Sequence, residues 1–428
     1  TLDVMVVHGN GASLKVQKQA NVANCDLLIA ATSADELNML CCIVARKLGD
    51  AHTIARVRNP EYAEQLIFLK EELGLSLTIN PELAAARETF KLLQFPSFLR
   101  RDSFAKGKVE IVELILREGG LLDGQKLSEL YKIAKVNVLV CAVEREGKAY
   151  IPDGNFCLQK KDKIYVTAPS HELTSLIKHL GLVTHKVRDV MIIGGSRIAY
   201  YLAMSLLGAG VAVKIIEQRR ERCLELAEML PKATIIHGAG ANQEVLLEEG
   251  IRETDAVVTL TDMDEENLIV SMYANHLGVP KVVTKINRTE YTEVFRDKGI
   301  DCVISPKQIT ANDIVRYVRA MQNTSGGSVL TLHRLVDDMV EALEFRANAT
   351  TRHLGETLAQ IQLKKGILIA CITRYGKVII PRGNDTIELN DTVVVVTTSD
   401  RLYKDLNDIF LDGPVPANTY GTTDPNRS

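Results

Sequence analysis

His8-Gly9-Asn10-Gly11-Ala12 returns as His237-Gly238-Ala239-Gly240-Ala241, an offset of 229 residues. The same offset carries Asp26, Thr32, Asp35, Glu36 and Asn38 onto Asp255, Thr261, Asp264, Glu265 and Asn267. It continues from Leu48-Gly49 to Leu277-Gly278 and from Glu61-Tyr62 to Glu290-Tyr291. After a local gap it reappears between Ile151-Pro152-Asp153-Gly154-Asn155 and Ile380-Pro381-Arg382-Gly383-Asn384. A register held this long marks an internal duplication, so the chain reads as two copies of one module.

The second copy shows what a module contains. Apolar runs at Val190 to Ile193, Val211 to Ile216, Thr234 to His237, Ala256 to Leu260, Val282 to Ile286 and Val303 to Ser305 alternate with amphipathic stretches such as Ile198 to Leu207 and Glu265 to Leu277. Gly208 and Gly278 stand where helices end. Six strands alternating with helices predict a doubly wound parallel sheet. Asn323 to Ser328 reads as a linker. Beyond it, Ile367 to Thr373, Val378 to Pro381 and Val393 to Thr397, with glycine turns at Gly376 and Gly383, predict a small α+β domain. The expected fold class is therefore α/β, with two tandem Rossmann-like doubly wound parallel-sheet domains, each followed by a small α+β C-terminal domain.

The boundaries expected from this pattern are 1–95, 96–183, 184–325 and 326–412, with 413–428 as an aperiodic, disordered tail. Subtracting the offset from Gly194 lands before Thr1. The first copy, although it opens on a strand-like Val4-Met5-Val6-Val7, is expected to lack two strands and the glycine turn that begin the second.

Composition narrows the function classes. Lysine and arginine number 51 against 54 acids, so no broad positive field is available to hold nucleic acid. The longest apolar runs fall far short of the roughly 20 residues that span a bilayer, so no membrane span is expected. Nothing at the N-terminus reads as a secretion signal. The eight cysteines lie on apolar segments without metal-ligand spacing, and all are expected to be buried small hydrophobes, with no metal site.

Val190 to Ile193 followed by Gly194-Gly195-Ser196-Arg197-Ile198-Ala199 occupies the position of a dinucleotide fingerprint between first strand and first helix. Gly194 supplies the tight turn and Ala199 the close helix contact, while Ser196 stands where a glycine normally admits a pyrophosphate. That hydroxyl either pushes phosphates outward or donates to them. Glu217, 23 residues beyond Gly194, is placed to accept ribose hydroxyls and to repel a 2′-phosphate, though a helix-capping role would also put an acid there. Thr32 to Asn38 and Thr261 to Asn267 each follow a strand and open a helix. Their acids suit the helix dipole, but capping leaves the recurring Thr and Asn unexplained. No serine, cysteine or carboxylate is placed to make His8 or His237 part of a triad, and no catalytic residue is identified.

Together these segments, with Ile54-Ala55-Arg56-Val57-Arg58-Asn59-Pro60-Glu61-Tyr62, resemble the Trk potassium-uptake regulatory subunits, built from RCK (also called KTN) domains, over Thr1 to about Phe410. The resemblance implies a cytoplasmic, non-enzymatic regulator. It would sit on the inner face of the cell membrane through a Trk-type potassium transporter subunit, as a homo-oligomer (dimer or tetramer) that binds NAD(H) or an adenine nucleotide (ATP or ADP) as a regulatory ligand. It further implies ligand contacts at Thr32, Ser33 and Arg56 in the first module, and at Gly194, Gly195, Ser196, Arg197, Ile198, Glu217, Thr261 and Asp262 in the second. Lys285 replaces Arg56 in the second copy, exchanging a planar fork for a point charge. The rival readings are an NAD-dependent oxidoreductase, which would spend its second half on a distinct substrate domain, and a detached regulatory domain of a potassium/proton antiporter.

Overall fold

The computed structural model describes residues 4–62, 65, 72–94, 100–104, 108–116, 118–180, 186–288, 300, 302–323, 329–336, 339–398 and 403–411. The expected tail at 413–428, most of the linker before Ser328 and the Glu290-Tyr291 pair lie outside these residues.

In chain order, β1 (Leu27–Ala30), β2 (His52–Arg56) and β3 (Leu77–Ile79) form a parallel sheet in that order. β4 (Arg100–Phe104), β5 (Val109–Ile115), β6 (Leu139–Arg145), β7 (Lys148–Tyr150) and β8 (Lys163–Pro169) form a second sheet, ordered β4-β5-β8-β6-β7. Next come β9 (Asp189–Ile193), β10 (Ala212–Glu217), β11 (Thr234–His237), β12 (Ala256–Thr259), β13 (Lys281–Lys285) and β14 (Val303–Ile304). They are ordered β11-β10-β9-β12-β13-β14, each paired parallel with its neighbour: a doubly wound sheet whose order reverses between β9 and β12. Last, β15 (Val329–Leu335), β16 (Val340–Arg346), β17 (Ile367–Arg374), β18 (Lys377–Ile379) and β19 (Thr392–Thr398) are ordered β15-β16-β19-β17-β18.

The duplication is visible in the elements themselves. Strands β1, β2, β7 and β8 shifted by 229 coincide with β12, β13, β18 and β19. Even an irregularity repeats: β6 slips against β8 between Val140 and Ala142, and β17 slips against β19 between Ile369 and Cys371. In each small sheet a forked ion pair holds this hairpin. Arg145 reaches buried Asp162 through Nε and Nη2 at 2.7 Å each, and Arg374 does the same to Asp391 at 3.0 and 2.9 Å.

The central strand of the large sheet explains its continuous apolar sequence. Val190 and Ile192 pack into one layer with Ala256 and Val258, while Met191 and Ile193 pack into the opposite layer with Val257 and Val270. A parallel strand covered on both faces has no polar side, which is why this run does not alternate.

The chain divides into two compact units, one of residues 1–101 and 181–315, the other of 102–180 and 316–428. The first contains both large sheets. Its main core unites the second copy with Ala85, Ala86, Leu92 and Leu93 from the first-copy helix Pro81–Gln94. In the second unit, Phe104, Val109, Ile111 and Cys141 share a core with Val340, Ala342, Cys371 and Val394, so the two small sheets pack on each other.

Two expectations are corrected, the first-copy strand and the burial of every cysteine, while the helices end at or beside the expected glycines. Val4 to Val7 form no strand, and Val4, Met5 and Val6 are exposed. The counterpart β11 is an edge strand paired with β10, and the described first-copy sheet holds only β1, β2 and β3. Gly208 is the last residue of its helix, and the left-handed turn falls on Gly210 (φ 77°). Gly278 does adopt the left-handed ending, at φ 81°. Among the cysteines, Cys157 is exposed and Cys25 half-buried.

Candidate functional site

The turn after β9 is set by close backbone packing. Gly194 has φ 96°, and a Cβ there would lie 2.9 Å from the Thr261 amide nitrogen, so a side chain is excluded by both conformation and space. The Gly194 amide donates to Ile216 O, and Leu260 N donates to Ile193 O, which fastens the turn between the ends of β10 and β12. The turn therefore stands at the crevice where strand order reverses, the usual ligand position in such sheets.

Glu217 ends β10 and is 7% exposed. Its Oε2 accepts from Gly195 N at 2.7 Å and its Oε1 from Arg219 N at 2.8 Å. The carboxylate thus clasps the glycine turn to the loop that opens helix Arg220–Met229, combining part of the capping role with a position at the crevice. Oε1 also accepts from Arg219 Nε at 3.3 Å, so it is Oε2 that retains a lone pair for a further donor. A Cβ on Gly195 would meet Glu217 Oε2 at 2.9 Å and Leu226 Cδ1 at 2.6 Å, so glycine is required for the clasp to close. Arg222 Nε donates to Gly195 O at 2.7 Å from the other side.

Ser196 opens the next helix. Its Oγ accepts from Ala199 N at 3.4 Å as the N-cap of helix Arg197–Gly208. The hydroxyl is turned into the helix end. Ile198 is buried in the core and carries packing, while Arg197 is exposed.

At the tips of the next strands, the recurring Thr and Asn have a structural reason. Asn267 Oδ1 accepts from Thr261 N and Thr261 Oγ1, both at 2.9 Å, and its Nδ2 donates to Thr261 O (3.0 Å) and Lys285 O (3.1 Å). Asn38 makes the same four bonds to Thr32 and Arg56. One amide therefore ties two adjacent strand ends, using its donors and acceptor together. Asp264 and Asp35, both buried, accept from the backbone amides at Asn287 and Arg288, and at Arg58 and Asn59. These acids cap loops beyond the next strand, and neither Ala34 nor Met263 caps its helix with a side chain.

The residues expected in the two modules meet in part. Arg56 Nη2 donates to Thr32 O at 2.6 Å, and Arg58 Nη2 to Ser33 O at 2.6 Å. Arg56, Arg58 and Arg197 all act on Glu82, at the start of helix Pro81–Gln94. Burial pushes the Glu82 carboxyl up, and a backbone hydrogen bond together with these three guanidinium groups offsets the rise only in part. Tyr201, one turn after Arg197, accepts from Asn80 Nδ2 at 3.0 Å and donates to Arg58 O at 3.2 Å. Asn80, Glu82, Arg58 and Tyr201 were not among the expected residues. No repeat signal marks them, because Glu82 and Tyr201 meet only through packing between copies.

Among the described residues no group of three or more His, Cys, Asp or Glu is arranged to hold a metal ion, and no helix is long and apolar enough to cross a membrane.

Comparison with known proteins agrees with this architecture. The TrkA-N domain family matches residues 1–81 and 190–306, and the TrkA-C domain family matches 111–181 and 342–408. The Trk system potassium uptake protein TrkA homolog 1 of Methanosarcina mazei is 34% identical over 403 residues, covering 92% of this chain and 88% of its own. The Trk system potassium uptake protein TrkA of Halomonas elongata is 31% identical over 418 residues, covering 96% and 90%. Among solved structures, the GsuK RCK domain superposes with a TM-score of 0.59 at 18% identity, over 92% of this chain and 82% of that one. The GsuK channel bound to NAD gives 0.58 at 19%, over 92% and 68%. At such identities the structural likeness speaks for the fold alone. The near full-length sequence matches go further: this chain belongs to the TrkA family of Trk system potassium uptake proteins.

Proposed function

We propose that this chain is a nucleotide-sensing regulatory subunit that gates a membrane potassium transporter of the Trk type and catalyses no reaction. The observation that carries the reading is the clasp of Glu217 on the Gly194-Gly195 turn at the crevice of a doubly wound sheet. A cleft with a glycine turn, a helix N-terminus and an acid at the end of the second strand suits an adenosine diphosphate moiety. The residues fit the group: both glycines are needed for backbone packing, and Ser196 is turned away into its helix. NAD(H), ATP or ADP would be held by Gly194 to Ile198, Glu217, Thr261 and Asp262, with Thr32, Ser33 and Arg56 serving the first module. The GsuK channel has been solved with NAD, in keeping with that ligand class.

The ligand acts by preference. A nucleotide that binds one arrangement of the paired modules more tightly shifts the population toward it, and the attached transporter inherits the bias. The chain would act in the cytoplasm at the inner face of the membrane, as a dimer or tetramer held there by its transporter. Domain limits at 95/96, 183/184 and 325/326 accompany this reading, supported by the repeated strand orders on either side of them.

Calorimetric titration of the whole chain with NAD, NADH, ATP and ADP is the test. Saturable binding of at least one ligand, lost in Glu217→Gln and unaccompanied by NADH oxidation across a panel of carbonyl substrates, is expected. Binding of none, or steady turnover, refutes the reading.

A further inference from the structure

We propose that Asp262 determines which ligand the second module accepts, disfavouring a third phosphate at the tip of β12 and admitting a dinucleotide whose far half begins with a ribose. The inference rests on the reading of Gly194 and Glu217 as an adenosine site.

The two copies offer matched positions with different charges. In the first, the strand tips carry Ser33 and Arg56. Arg56 Nη2 is engaged by Thr32 O, its Nε is buried without a hydrogen-bond partner, and the acid it acts on is Glu82, on another helix. In the second copy the same positions hold Asp262 and Lys285. Lys285 is 5% exposed, and its ammonium donates to Thr261 O at 3.1 Å and to Asp262 Oδ1 at 3.3 Å. A guanidinium with spare donor capacity in one module is replaced in the other by an ammonium already engaged with Asp262.

Position makes this pair face the ligand. The glycine turn and the β12 tip adjoin, since a Cβ on Gly194 would touch Thr261 N. Whatever extends beyond a diphosphate on that turn, away from Glu217, comes next to Thr261 and Asp262. The Asp262 side chain is 98% exposed, so its charge is presented to solvent there. A terminal phosphate would meet a like charge and a cation already engaged. Ribose hydroxyls would instead find an acceptor. Like charges several ångströms apart near a surface cost about a factor of ten in affinity.

The experiment is calorimetry of the whole chain with NAD and ATP, counting as second-module binding the signal that Glu217→Gln abolishes. Wild type should bind NAD more tightly than ATP. Asp262→Ser, which copies the first module, and Asp262→Asn, which keeps the shape, should each strengthen ATP binding about tenfold and weaken NAD binding, which loses its carboxylate acceptor. As an exposed side chain, Asp262 can be replaced without unfolding the sheet. ATP binding tighter than NAD in wild type, or ATP affinity unmoved by both variants, overturns the assignment while leaving the nucleotide site standing. Failure of both ligands to bind wild type overturns the site itself, and the assignment with it.

Discussion

The hydroxyl of Tyr201 donates to the carbonyl of Arg58 across 3.2 Å, joining the helix that follows the glycine turn of the second module to the loop leaving β2 of the first. Asn80 Nδ2 completes the contact at 3.0 Å. Through Arg58, whose amide and guanidinium engage Asp35 and Ser33, the two candidate ligand regions share one polar seam within the first compact unit.

Tyr201→Phe should therefore remove two hydrogen bonds from a buried position while leaving the ring's packing intact. A loss of about 1–2 kcal/mol in unfolding free energy is expected by urea denaturation. A change within 0.3 kcal/mol would mean that water replaces the hydroxyl at no cost.

Asn267 is fully buried and makes four bonds to two strand ends. Asn267→Leu leaves Thr261 N and Lys285 O without partners, and should cost roughly 3 kcal/mol or more. Asn38→Leu should show a similar defect in the first module. Amide hydrogen exchange would locate each loss at its own strand tips.

Gly195→Ala forces its new methyl against Leu226 and the Glu217 carboxylate, so the clasp must open. We expect nucleotide affinity to fall at least tenfold in titration, with the thermal midpoint lowered by several degrees. Gly208→Ala, where a Cβ meets nothing within 4 Å, should leave the affinity unchanged and raise the midpoint slightly, since it reduces the freedom of the unfolded chain at a helical position.

Glu82 gives a pH dependence whose sign is set by burial. Its carboxyl is raised, so the folded state holds this proton to higher pH than the unfolded chain does. The stability it contributes is present below the ordinary carboxylate range and is lost as pH rises through the raised value. A backbone hydrogen bond at Glu82 and the charges of Arg58, Arg197 and Arg56 limit the effect. The thermal midpoint of Glu82→Gln minus that of wild type should increase from pH 4 to pH 7. A difference that is flat or falls would show the guanidinium groups outweighing burial.

The duplication and the parallel sheet of the second copy were legible in the chain, because each rests on local signals. Val190 to Ile193 is apolar without alternation since both its faces are covered, and the offset that carries Asp26 to Asp255 also carries one set of element boundaries onto the other. The glycine turn and Glu217 were likewise readable, being fixed by spacing along one βαβ unit. Tertiary structure decided the rest. Only packing turned Ser196 into its helix end, made Asn38 and Asn267 ties between strand tips, and paired Lys285 with Asp262. Only packing brought Glu82 of one copy toward Arg197 of the other. Periodicity records which face of an element is buried, but not which distant side chain meets it there. That choice belongs to the fold as a whole.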